Sequence, residues 1–374
     1  MLDHAGLYVH FPWCVRKCPY CDFNSHPLPR GESQNGVDFT GYVDALQTDY
    51  HHQQRDERYA TVFLGGGTPS LCPPDEIARL LESLATTPSA EVTMEVNPGT
   101  TEHSDLGAYR NAGVSRLSLG AQSFHDESLA ALGRIHDSAE TLVAFANARA
   151  GDFDDINLDI MWGLPRQTVA QAMADIEQAI ALAPEHISWY QLTIEPKTEF
   201  ARRTPLLPRD EILAEIEREG LAALAAAGYT RYEVSAHARV GRQSRHNVNY
   251  WQFGDYLGIG AGAHGKRSDP HLASIVRCRK PAQPRLYLKD PDATAHEAIA
   301  TASLPVEFMM NALRLVDGVD FDAFERQTGL AWTVVEPNWE SLRARELVRH
   351  DRCATTPLGL RYLDSVVAEF LPVR

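Results

Sequence analysis

The chain has 374 residues, with 35 lysines and arginines against 50 aspartates and glutamates, a formal net charge of −15, 44% hydrophobic residues and 23% charged ones. This length and composition describe a folded protein able to bury a large core, and exclude a disordered chain. The acidic balance disfavours nucleic acid as a partner, because phosphate neutralisation needs a basic surface.

Met1-Leu2-Asp3-His4 shows no basic segment leading into an apolar one, and no apolar run approaches the ~20 residues of a membrane span. A cytoplasmic location is expected, where clustered thiols stay reduced and more often hold metal than disulfides. A strand candidate, Leu7–Phe11, leads into "HFPWCVRKCPYCDFNSH", which sets Cys14, Cys18 and Cys21 within eight residues. Spacing leaves two readings open. One is a structural zinc completed by His10 or His26; the other is a [4Fe–4S] cluster whose fourth iron stays free for a ligand.

Beyond this motif, strand and helix candidates alternate. Helix Phe39–Gln54 precedes strand Thr61–Gly65, which ends in Gly65-Gly66-Gly67-Thr68-Pro69. Helix Asp75–Ala85, strand Glu91–Val96 and strand Arg116–Ala121 follow, with Glu95, Asn97 and Gln122-Ser123 at the strand ends. Helix Leu129–Ala150, strand Asp155–Met161 carrying Asp159, helix Thr168–Ala183 and strand His186–Thr193 continue the pattern. Helix Arg209–Ala227, a C-cap at Gly228 and strand Tyr229–Ser235 close it. The alternation predicts an α/β fold, either an open parallel sheet or a closed or partly closed barrel. In either, the polar strand ends gather on one face where a ligand can meet them.

Two short stretches follow. "RHNVNYW", residues 245–251, reads by itself as an ordinary loop, with Tyr250 and Trp251 packed inward. "GIGAGAHG", residues 258–265, lacks the Gly-Lys-Ser/Thr ending of a phosphate loop. The Pro-rich, basic "RCRKPAQPRLYLKDPDA" then reads as a connecting segment. Helices over Leu304–Leu315, Phe321–Gln327 and Glu336–Arg345, with a hairpin and a final helix, predict a winged-helix-like unit. The expected division is 1–265, 266–300 and 301–374. Cys72, Cys278 and Cys353 are isolated, and His51, His52 and His136 have no ligand spacing.

The C-x3-C-x2-C spacing, with Tyr20 before the last cysteine, resembles the signature of the radical S-adenosylmethionine (SAM) superfamily. With "GGGTP", "MEVNP", "GAQSF", "LGRIH" and "NLDIMWGLP" in order, the chain is similar to the HemN and HemW branch over nearly its whole length. That resemblance implies a partial (β/α)6 TIM-like barrel with a small helical, winged-helix-like C-terminal domain. It implies a [4Fe–4S] cluster on Cys14, Cys18 and Cys21, with SAM chelating the unique iron. Tyr8, Gly66, Gly67, Thr68, Glu95, Gln122, Arg134 and Asp159 take the SAM-contacting positions, and the glycine-rich 258–265 stretch is expected to line the SAM cavity.

Within the branch, Phe23 stands where the decarboxylating oxidase has a further cysteine, and few residues precede Cys14. "RHNVNYW" matches a heme-associated HNxxYW pattern through His246, Asn247, Tyr250 and Trp251, without assigning the axial ligand. The implied function is a heme chaperone lacking coproporphyrinogen III oxidase activity. Its implied partners are heme, recipient apo-hemoproteins such as respiratory cytochromes, membrane hemoproteins met from the periphery, and an electron donor for the cluster. The alternative is oxygen-independent coproporphyrinogen III oxidase itself.

Overall fold

The computed structural model describes residues 5–28, 36–54, 56–100, 105–269 and 274–372; Met1 to His4 fall outside them. Chain order begins with β1 (Gly6–Phe11), the short β2 (Trp13–Cys14) and β3 (His26–Pro27), α1 (Phe39–Gln53), β4 (Tyr59–Gly66) and α2 (Pro74–Glu82). It continues through β5 (Thr86–Val96), α3 (Leu106–Asn111), β6 (Arg116–Gln122), α4 (Asp126–Ala131), α5 (Ser138–Ala150), β7 (Ile156–Trp162) and α6 (Val169–Ala181). Next come β8 (His186–Gln191), α7 (Glu199–Arg202), α8 (Asp210–Ala226), β9 (Thr230–Glu233), β10 (Ala236–Ala238), α9 (Arg245–Trp251) and β11 (Tyr256–Ile259). The remainder is β12 (His264–Asp269), β13 (Ser274–Arg279), α10 (Pro284–Lys289), β14 (Ala295–Ala298), α11 (Leu304–Ala312), α12 (Phe321–Thr328), α13 (Glu336–Ala344), α14 (Pro357–Arg361) and α15 (Leu363–Ala368).

Among the described residues the main sheet has twelve strands, in the order β14-β13-β12-β11-β1-β4-β5-β6-β7-β8-β10-β9. Strands β1, β4, β5, β6, β7 and β8 are mutually parallel, and β11 adds to β1 in the same sense. This is the run of β/α units that the sequence pattern predicts. Antiparallel β12–β14 and β10–β9 extend its two sides. The connecting segment after residue 266 therefore adds strands and the helix α10 to the fold.

The two faces of each parallel strand differ, because successive side chains alternate. Leu7, Val9 and Phe11 of β1, Leu117 and Leu119 of β6, and Leu158 and Ile160 of β7 are buried in the apolar core shared with the helices. The intervening residues are polar: Tyr8 and His10, Arg116 and Ser118, Asn157 and Asp159, His186 and Ser188. One face is greasy and the other is a polar interior.

Three local departures follow from turn chemistry. The helix expected over Leu129–Ala150 breaks into α4 and α5, because Gly133 adopts φ +71° and Asp137 starts α5 with a capping box closed by Glu140. Arg134 and His136 lie in the turn so formed. The strand expected over Tyr229–Ser235 ends at Glu233 and reverses into β10. Residues 245–251 are not a loop: Ser244 caps the α9 helix by accepting from the Asn247 N–H.

A second apolar core joins α11, α12 and α13 to the barrel. Phe308, Phe324 and Trp339 pack in one cluster with Tyr232, Phe253 and Ile275. Short bridges between Val319 and Cys353 and between Val348 and Thr355 accompany these helices.

Candidate functional site

Cys14 ends β2, and Cys18 and Cys21 sit on the loop between β2 and β3, at the C-terminal end of β1. The loop is held from below. His10 Nε2 meets the Asn24 carbonyl at 2.9 Å, and Lys17 Nζ donates to the carbonyls of Phe23 and Ser25. Asn24 Nδ2 donates to the carbonyls of Ala261 and Ala282 at 2.9 Å. Residues 258–265 thus support the cluster loop rather than line the cavity, which corrects the expectation for that stretch. Gly67 explains the tightness of the neighbouring turn: a Cβ there would lie 2.3 Å from the Trp13 carbonyl oxygen. Only a residue without a side chain lets β4 pass so close to the thiol loop.

None of the cysteines is in a disulfide. Cys14 is buried, and burial pushes its thiol up to about 11, so a metal must displace a proton from it. Of the two histidines suggested for a zinc site, His10 has both ring nitrogens engaged. His10 spans Tyr8 Oη and the Asn24 carbonyl, and His26 meets Asn24 Oδ1 at 3.2 Å. Among the described residues no three Cys, His, Asp or Glu side chains converge on a point that one metal ion could occupy. Three thiolates leave one iron of a four-iron cluster without a protein ligand, the donor set that a cluster binding a ligand at its unique iron requires.

A cavity of about 430 Å³ opens beside the loop. Cys14, Cys18, Cys21, Gly66, Gly67, Thr68, Glu95, Gln122, Arg134 and Asp159 all line it, so most of the SAM-contacting positions named from sequence meet in one place. Tyr8 lies one layer beneath, its hydroxyl 2.9 Å from His10 Nδ1. Phe23 is at the mouth, with 61% of its surface exposed.

Charge is distributed in a way that suits a zwitterionic ligand. The Gly66 N–H donates to Glu95 Oε2 at 3.0 Å, and burial followed by the Asp159 charge raises the Glu95 carboxyl to about 8. Asp159, raised in turn by burial, accepts from Ser118 Oγ at 3.0 Å and Asn157 Nδ2 at 2.9 Å. Across the cavity the Arg134 guanidinium donates to the Gly120 carbonyl and Asn97 Oδ1 and approaches Cys18 Sγ at 3.8 Å. Its Nε is buried without a partner, which fits a carboxylate arriving from the cavity.

Sequence reasoning missed Ser118, Ser188 and Tyr190, which also line the cavity; Tyr190 Oη donates to Gln122 Oε1 at 2.7 Å. The signal was present as the polar alternation within "RLSLGAQ", "INLDIMW" and "HISWYQ", where a fully buried parallel strand is usually apolar on both faces.

His246, Asn247, Tyr250 and Trp251 are elsewhere. They lie on α9, which packs against the starts of β1 and β4, at the opposite end of the strands from the cysteines. His246 is 8% exposed; its Nδ1 lies 3.0 Å from Thr61 Oγ1 and its ring is 5.1 Å from that of Phe63. Burial lowers this histidine to about 4, so it is neutral. Tyr250 is partly exposed and meets Trp251 edge-on, while Arg314 sits 4.3 Å over the Trp251 ring.

Comparison with known proteins matches residues 8–179 to the radical SAM superfamily and 302–361 to the HemN C-terminal domain. The chain is 42% identical to proteins called heme chaperone HemW from Haemophilus influenzae, over 99% of this chain and 98% of that one, and from Escherichia coli, over 99% of both. It is 35% identical to mouse mitochondrial radical S-adenosyl methionine domain-containing protein 1, over 98% of this chain and 87% of that one. In fold it resembles the solved coproporphyrinogen III oxidase (HemN) of E. coli, with a TM-score of 0.81 at 22% identity, covering 98% of this chain and 90% of the other.

Proposed function

This chain belongs to the HemW family of radical SAM proteins, and from that premise we propose that it binds heme and passes it to apo-hemoproteins, with a [4Fe–4S] cluster and SAM in the cavity described above. The cluster would supply an electron to bound SAM. Cys14, Cys18 and Cys21 would hold three irons, with the Arg134 guanidinium steadying the charge on Cys18. The backbone of Gly66–Thr68 would face the methionine amino group, Arg134 its carboxylate, and Glu95 and Asp159 the ribose hydroxyls.

The observation that carries the chaperone reading is Phe23: at the mouth of the cavity it offers an exposed phenyl ring where a further thiol marks the decarboxylating branch. For heme, the half-open Tyr250 ring is the most exposed aromatic side chain of α9, and aromatic packing on a porphyrin face is its natural role. His246 reaches iron only if α9 turns out of the barrel base, breaking the contact with Thr61.

The test is anaerobic reconstitution, SAM loading and heme titration. Wild type should hold about four irons and four sulfides per chain and shift the heme Soret band at stoichiometric protein. An unshifted band, or conversion of coproporphyrinogen III to protoporphyrinogen by the loaded protein, overturns the reading.

A further inference from the structure

A chain of buried hydrogen bonds runs from the SAM cavity to the first turn of α9. Asp159 Oδ1 accepts from Asn157 Nδ2 at 2.9 Å. Asn157 Oδ1 accepts from the Ser188 backbone N–H at 3.0 Å, which establishes that this atom is the amide oxygen. His186 Nδ1 lies 2.6 Å from the same oxygen, so Nδ1 must carry a proton and donate. His186 is 1% exposed and kept neutral, chiefly by burial, so its Nε2 accepts from Tyr232 Oη at 2.9 Å. Tyr232 Oη is left to accept from the Ser244 N–H, at 3.4 Å the longest link. Every donor points one way, from the N-cap of α9 toward the Asp159 carboxylate.

The far end of this chain is a tightly held helix start. Glu91 accepts from the Arg245 and His246 N–H groups at 3.1 and 3.2 Å, and Ser244 Oγ accepts from the Asn247 N–H.

We propose that Asn157, His186 and Tyr232 are positioning residues that transmit occupancy of the SAM cavity to α9, loosening its first turn when SAM is bound. The inference rests on the proposed SAM site and is independent of heme binding. A ribose hydroxyl donating to Asp159 competes with Asn157 Nδ2 and Ser118 Oγ for the carboxylate oxygens. The Asn157 amide, which Ser188 and Ser118 still hold, then shifts rather than leaves, the His186 acceptor moves with it, and the Tyr232–Ser244 link, already long, is the first to break. That release is what His246 needs in order to leave the barrel base.

Hydrogen exchange of the reconstituted full-length protein, with and without saturating SAM, reads this directly, while SAM uptake is followed in parallel by equilibrium dialysis. In wild type SAM should speed exchange of the Ser244–Asn247 amides by roughly fivefold, the low end of ordinary coupling between two sites. Tyr232→Phe, nearly isosteric, and His186→Leu, one link earlier, should both abolish the SAM-dependent difference while still taking up SAM. If either variant folds, the question is decided. A SAM-dependent change that survives in a folded variant, or its absence in SAM-loaded wild type, overturns the relay. Failure of wild type to take up SAM overturns the relay and the cofactor reading together. A heme titration that fails while the exchange effect stands removes only the chaperone reading.

Discussion

Glu95 shows how burial equips a side chain for a ligand at a cost to the empty protein. Its carboxyl sits at about 8 against an ordinary 4.5, so between these values the folded chain keeps a proton that the unfolded chain releases. The stability this confers is full below the unfolded value and is lost as pH rises through about 8. SAM-free wild type should therefore lose several kcal/mol of stability relative to Glu95→Gln between about pH 5 and 8; urea melts at several pH values measure the difference, and parallel curves would refute it. The same substitution keeps the Gly66 contact but removes the negative acceptor, so SAM affinity at pH 8 should fall by about 10-fold or more, the worth of a hydrogen bond to a charged group. Cys18→Ser should leave almost no bound iron after reconstitution, a loss seen in the absence of the brown chromophore.

At the scale of the element, α9 is the part whose sequence and structure most disagree in kind. A seven-residue helix is marginal alone; here Ser244, Glu91 and the Thr61–His246 contact hold it in place. Ser244→Ala should cost about 1 kcal/mol in urea unfolding, the ordinary worth of an N-cap, and should raise exchange of the α9 amides more than of those in α5. The strands carry the opposite lesson. Their polar alternation was printed in the sequence, and only its meaning, an interior lined by side chains rather than a solvated face, needed the arrangement of neighbouring strands.

For the whole molecule, a fully buried ion pair helps to fasten the antiparallel extension after β11 to the barrel. Lys280 Nζ lies 2.6 Å from Asp49 Oδ1, with both side chains essentially inaccessible. Asp49 Oδ2 also accepts from Tyr287 Oη and the Gly260 N–H, so α1, the glycine-rich turn and α10 meet on one carboxylate. Lys280→Met strands that charge and should destabilise the protein by about 3 to 5 kcal/mol. Because Ala261, next to Gly260, supports the cysteine loop through Asn24, iron retention should fall in the same variant even where the fold survives, which iron analysis of the soluble fraction checks.

The sequence by itself determined the α/β class, the thiol motif, and most of the cavity lining, because these depend on local pattern: strand period, glycine placement, and spacing of cysteines along a few residues. It carried the HNVNYW stretch too, but not its setting. Only the tertiary structure decided that Arg134 leaves a turn rather than a helix, that Gly258–Gly265 buttresses the cysteine loop, and that His246 faces the barrel base away from the cavity. Each of these depends on contacts between residues far apart in the chain, such as Asn24 with Ala261 or Thr61 with His246, and no local periodicity records which distant backbone a side chain will meet.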